Sequence, residues 1–270
     1  MSQQFDPELH RQMGVEADVV LRVGMLLMGA GTSGYRVLRG MKRSARALGF
    51  DHLDATVGLT QITCTFHRGE YFRTVIARQH SPAVDASRIE ALEDLTHNRL
   101  YAGITAQELA AMLDVIEFGV KKRWSGLVLS FAAAIACAAF AYLNFFPLEA
   151  VGLVALAAFA GQFVRYTVLH RHVHQIGGVI AGGATASIVF FLLTAFFGAI
   201  GSVDPSELSS GVVAAVLFLI PGFPLFSALI DIARFDLDAG IVRLGYAFTV
   251  IFTATFTVSM VSWLTQLTPD

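Results

Sequence analysis

Charged residues are scarce in this sequence: Asp, Glu, Lys and Arg make up 15% of its 270 residues, against roughly 25% in an average soluble domain. With 55% hydrophobic residues and a mean hydropathy of +0.61, the shortage excludes an ordinary water-exposed chain and points to a membrane protein. Cysteine is nearly absent. Cys64 and Cys137 are the only two, one in a polar region and one in an apolar run, which excludes a disulfide framework and a cysteine metal site. Both read as small buried thiols. The net charge is −2 with no long basic run, so no nucleic-acid partner is expected. The N-terminus "MSQQFDPELHRQMG" lacks the short apolar stretch of a cleavable signal. The N-terminal part is therefore expected to stay cytoplasmic.

The charges that exist are crowded into the first part of the chain. This divides it into an expected cytoplasmic α+β domain over 1–123 and a transmembrane domain over 124–270. In the first, Val15, Val19, Val23, Leu26 and Leu27 recur at helical spacing, and Val37, Leu38, Met41, Ala45 and Leu48 do so again after "GAGTSG". A helix pair is predicted. "TVGLTQITCTF", the turn "HRGE" and "YFRTVIAR" predict a β-hairpin. Ser87 with Glu90, and Thr105 with Glu108, have capping-box spacing and predict two further helices, about 87–101 and 105–122.

Beyond Trp124 lie five stretches with the roughly 20 apolar residues that cross hydrocarbon: 125–146, 149–169, 177–200, 209–231 and 241–265. The fold class expected is thus a five-helix α-helical transmembrane bundle carrying the N-terminal α+β domain. Lys121, Lys122 and Arg123, "HRHVH" at 170–174, and Arg234 with Arg243 fall on one side of these spans, while "FPLE" and "GSVDPSE" on the other have no Lys or Arg. Basic loops stay inside, so the N-terminus is expected in the cytoplasm and the C-terminus outside.

Several motifs have plain structural readings. Gly29, Gly31 and Gly34 spell G-x-G-x-x-G, but the residues before them have helical periodicity, whereas a dinucleotide site needs a strand there. An inter-helix turn is expected. His170, His172 and His174 have no acidic or cysteine partner at ligand spacing, so they read as a basic surface loop and no metal is expected. No nucleophile, base and acid can be ordered from scattered residues, so no enzyme activity and no cofactor are expected. Gly178 and Gly182 form a GxxxG in the third span, which predicts close helix packing or oligomerisation.

Other residues point to a solute pathway. Gln162 and Arg165 lie late in the second span, where an arginine can either snorkel or meet a carboxylate. Between Leu217 and Arg234, "LFLIPGFPLFSALIDIAR" puts Pro221, Gly222 and Pro224 inside an otherwise apolar span. Proline removes a donor and clashes with the preceding turn, so the carbonyls near Phe218 and Ile220 should lose their helical partners. Backbone freed at membrane depth is tolerated where it is buried or lines a cavity, and transporters use such broken helices at their binding sites. Asp231 follows two turns after Pro224, with Arg165, Arg234 and Arg243 as possible partners.

The run "LIPGFPLFSALIDIARFDLDAGIVRL", together with "AGTSGYRV", "ALGF" and "LTHNRLYAGIT", resembles the threonine/serine exporter family over roughly 15–265. The resemblance implies the larger subunit of that family's split form, exporting threonine and serine or a succinate-type dicarboxylate. It also implies a small separate membrane subunit as partner. Ser227 stands where the family pattern has asparagine. The expectation is a subunit of a proton-motive-force-linked exporter of small polar carboxylates in a bacterial inner membrane, working as a hetero- or homo-oligomer. Gln162, Arg165, Pro221, Gly222, Pro224, Ser227 and Asp231 would lie along the pathway. A non-transporting scaffold that docks a partner membrane protein is the alternative.

Overall fold

The computed structural model describes residues 7–79, 84–120, 123–171, 173–201 and 211–267. Expectations resting on Lys121, Lys122, His172 and the loop at 202–208 lie outside them. The chain forms two compact units, Met1–Arg123 with Phe223–Gly245, and Trp124–Gly222 with Tyr246–Asp270.

The first unit opens with the helix pair α1 (Pro7–Gly29) and α2 (Gly34–Ala47). Met13, Ala17, Val20, Val23 and Leu27 of α1 are fully buried, as are Val37 and Met41 of α2. This stripe is rotated from the one expected: Val15 is 47% exposed, and the inward residues follow i, i+3 and i+4 steps from Met13. Three strands follow, β1 (His52–Val57), β2 (Gln61–Arg68) and β3 (Tyr71–Arg78), in an antiparallel meander with β2 central. The sheet thus has one strand more than the expected hairpin, because the chain turns at Gly58, where Gly58 donates to the Gln61 carbonyl at 2.8 Å. Ile62, Cys64 and Phe66 alternate inward from β2 into the helical core.

Helix α3 (Ala86–Asp94) runs into a π-helical turn, Leu95–Arg99, and α4 (Ala106–Gly119) completes this part. The expected Thr105–Glu108 capping box is present, with both reciprocal bonds made. The Ser87–Glu90 box is not. Asp85 caps α3 instead, its carboxylate accepting the Arg88 N–H at 3.1 Å, because the helix starts two residues earlier than that spacing required. Arg22 of α1 ties α4 down through Asp114 and Glu117.

In the second unit, α5 (Gly126–Leu143), α6 (Leu148–His170) and α7 (Gln175–Ala199) are long and apolar enough to cross a membrane. The chain continues as α8 (Gly211–Ala215), a 3₁₀ turn (Leu217–Leu219), α9 (Gly222–Ala233) and α10 (Leu237–Leu267), the fourth long apolar helix. Small residues fill the core between spans: Ala141, Ala150, Ala157, Ala158 and Ala215 are fully buried. Only 22–39% of the residues in the most apolar window of each long helix are buried, so their apolar side chains face outward, as a lipid solvent requires. Hydroxyls inside the spans are mostly turned back on their own helices. Ser130, Thr185 and Thr257 each donate to the carbonyl four residues earlier at 2.8 Å.

The described residues therefore contain four helices of crossing length where five spans were expected. The expected span at 209–231 is in pieces, and α9, with 12 residues, reaches only about 18 Å at 1.5 Å per residue, short of the hydrocarbon thickness.

Candidate functional site

The interruption begins where sequence chemistry placed it. Ile220 precedes a proline and takes φ −61° and ψ 124°, the extended conformation that the proline ring imposes on its neighbour. Pro221 lies outside any helix, and α9 restarts at Gly222. Pro224 does not extend the break. It occupies the first turn of α9, where a missing N–H is harmless.

The freed carbonyls have identifiable partners. Ile220 O accepts the Gly222 N–H at 2.8 Å and Leu217 O accepts the Ile220 N–H at 3.1 Å. Phe218 O is held from another helix, accepting from Arg165 Nη1 of α6 at 3.3 Å. Arg165 is half-buried, with its Nε unpartnered and the Tyr246 side chain of α10 within electrostatic reach. One turn earlier on α6, the buried Gln162 Oε1 has no hydrogen-bond partner either. A cation with an unused Nε donor therefore sits against the interrupted backbone, one helical turn from a residue with an unfilled acceptor. A cavity of about 290 Å³ flanks the same interruption, lined by Val216, Leu219, Ile220, Ala254, Thr255 and Ser259 among others.

Close helix approach makes this contact possible. A Cβ on Gly161 of α6 would lie 2.7 Å from the Gly182 carbonyl and 2.9 Å from the Phe218 ring, and one on Gly182 would lie 3.0 Å from Arg165 Cβ. A Cβ on Gly178, the other half of the GxxxG, would lie 2.8 Å from the Leu169 side chain of α6. Gly161 was not singled out by the sequence, since its meaning depends on what faces it.

A second polar focus lies in the first unit. Asp231 of α9 is fully buried, with Ser227 and Ala228 on the same inward face. Its partner is Arg243 of α10, 4% exposed, which forms an ion pair with Asp231 Oδ2. Arg243 is therefore not a loop residue as the topology reading took it, but lies inside a helix. The turn at Arg234–Phe235, with Phe235 at φ 63°, reverses the chain and brings the two together, leaving Arg234 to stack on Tyr35 with its guanidinium carbon 3.7 Å from the ring centroid.

The same Oδ2 also accepts from the Gly34 N–H at 3.4 Å, across 197 residues of sequence. Gly34 is the first residue of α2, whose N-terminal Ser33 makes no side-chain cap. The capping anion comes instead from Asp231. Gly31, at φ 91°, makes the tight inter-helix turn that "GAGTSG" suggested. A Cβ at Gly34 would stand 3.2 Å from Arg243 Nη1 and 3.3 Å from Asp236 Oδ2, so glycine there permits the approach. Asp231 Oδ1 is buried without a partner.

The two described histidines of the 170–174 run make separate local contacts. His170 stacks on Tyr166, and His174 caps α7 by accepting the Ile176 N–H at 3.3 Å. Among the described residues there is no group of three His, Cys, Asp or Glu able to hold a metal.

Comparison with known proteins gives a consistent picture. Residues 18–265 match the model of the family ThrE, described as "Putative threonine/serine exporter". The chain is similar to the "Probable succinate transporter subunit YjjP" of Escherichia coli K12, 22% identical over 237 residues that cover 84% of this chain and 86% of the relative. It is also similar to the protein of the same description from Klebsiella aerogenes, at 23% over 208 residues, 76% of each chain. No solved structure matches.

Proposed function

Because the chain belongs to the threonine/serine exporter family ThrE, we propose that it moves a small polar carboxylate, serine, threonine or a succinate-type dicarboxylate, out of the cell by a proton-motive-force-linked cycle. It is a multi-pass membrane protein and a component of a transporter rather than an enzyme. The observation that carries the solute class is Arg165. Its guanidinium is anchored to the freed Phe218 carbonyl and keeps an unpartnered Nε, so a carboxylate reaching the interruption meets a preplaced cation. Gln162 supplies a polar neighbour, Pro221 and Gly222 keep the backbone open, and Pro224 lies in the first turn of the helix that carries Ser227 and Asp231. In this reading Asp231 takes up the coupling proton when its pair with Arg243 opens.

The word "subunit" in the names of both similar proteins supports a partner, for which we propose a small separate membrane protein of the same family, with or without self-association. The cavity beside the interruption and the exposed Val213 and Ile220 around it are consistent with a partner helix. Residues 1–123 would form the cytoplasmic domain and 124–270 the membrane domain, in a bacterial inner membrane with the C-terminus outside.

Counterflow in proteoliposomes tests this, using serine, threonine and succinate with and without the candidate partner. At least one solute should exchange, and Arg165→Ala should abolish exchange while the protein still inserts. Unchanged exchange in Arg165→Ala would remove the cation from the mechanism. Absence of exchange by any reconstituted complex would favour the scaffold.

A further inference from the structure

The buried carboxylate of Asp231 is poorly served for its cost. An ionised carboxylate offers about four acceptor positions, yet only Oδ2 is used, by Arg243 and the Gly34 N–H, while Oδ1 is buried and unpartnered. A half-satisfied ion pair stabilises a fold less than a well-packed apolar replacement would. What surrounds the carboxylate is the standard equipment of an anion site: a buried guanidinium, the N-terminus of a 14-residue helix that has no cap from its own Ser33, and a glycine whose missing side chain lets the anion approach the backbone. Two further charges lie at its margin. Asp236 Oδ2 lies beside Gly34, and Arg234 stacks on Tyr35, the next residue of α2.

We propose that Arg243 and the first turn of α2 form a carboxylate-binding cradle, and that Asp231 is its displaceable resident occupant. A free carboxylate of the transported class can take the place of the Asp231 side chain on the same two donors. The inference deepens the proposed function, on whose solute class it rests, and assigns a second carboxylate site to residues in the first unit. Asp236 sets its selectivity by repelling anions that lack a compensating positive group. Gly34 is a positioning residue, since its backbone donates and its missing Cβ leaves room.

The test is chemical rescue. Purified full-length Asp231→Gly, which opens the cradle without filling it, is melted in detergent against increasing sodium acetate or sodium succinate, with sodium chloride at matched ionic strength as control. The carboxylates should raise Tm by several degrees along a saturating curve, chloride should not, and wild type should shift less. Adding Arg243→Gln to the same background should erase the shift, while adding Arg165→Gln should leave it. If Asp231→Gly does not accumulate as folded protein, Asp231→Asn preserves the shape of the site, and it must show the same Arg243-dependent shift. Equal response to chloride and carboxylate, or no saturable shift in either variant, overturns the cradle. Because the readout is stability, loss of rescue with Arg165-dependent exchange intact condemns this inference alone. Loss of exchange with rescue intact condemns the transport reading alone.

Discussion

Asp231 shows what a single residue can reveal without its neighbours. A carboxylate after a broken span was conspicuous in the sequence, and three arginines were available to it. Geometry selects Arg243, because the turn at Arg234–Phe235 folds α10 back along α9. Removing one partner from such a buried pair costs about 3–5 kcal/mol. Asp231→Ala without added carboxylate should therefore lower the melting temperature far more than removal of the exposed Glu8–Arg11 pair, which water screens and which should leave it almost unchanged. Gly34 was legible only as a turn glycine, since its second role depends on a residue 197 positions away. Gly34→Ala should strain the Arg243 contact and destabilise by about 1–3 kcal/mol, read by thermal unfolding in detergent. Cys64 behaves as its surroundings dictate. Burial pushes its thiol up to about 12, so below that pH it stays protonated in the folded chain, and alkylation at pH 8 should be negligible until denaturant exposes it. Rapid labelling of native protein would contradict the packed β2 core.

At the scale of elements, local chemistry was read well where one or two residues decide and poorly where partners decide. Pro221 fixed the interruption by its own ring. Thr105 and Glu108 fixed the start of α4 by a self-contained pair of bonds. By contrast, Ser87 and Glu90 had the same spacing and lost to Asp85, which stands immediately before the first helical residue while Ser87 is already inside the first turn. Strand β1 went unread because "HLDATV" is half exposed and polar, and its pairing with β2 supplies what its composition lacks. The α6–α7 contact belongs here too. Gly161→Leu would drive a side chain into the Gly182 carbonyl and the Phe218 ring. It should destabilise by about 1–3 kcal/mol and weaken Arg165's hold on Phe218, so exchange should fall together with Tm. A Gly161→Leu protein of normal Tm and normal exchange would show that the close approach is unimportant.

For the whole molecule, composition disclosed membrane character, but not how the chain is shared between its two units. The first unit consists of Met1–Arg123 and Phe223–Gly245, a division invisible to any reading that moves along the sequence, because the second stretch runs from the end of one apolar segment into the start of the next. A fragment ending at Arg123 would lack the carboxylate that serves the start of α2. Its Gly34–Val37 amides should exchange hydrogen faster than in the full chain. Equal exchange would mean that α2 holds its first turn without help.

This division also imposes an order on biosynthesis. Translation delivers residues 1–123 first and must then produce 124–222 before the missing stretch appears, a delay on the order of 5–20 seconds at about 5–20 residues per second. Through that interval the nascent N-terminal domain waits with the positive end of α2 open, while three long apolar helices enter the lipid. Its maturation is thus a timer slaved to the insertion machinery, and a lesion that stalls threading of α5 to α7 would surface first as a folding defect around the start of α2.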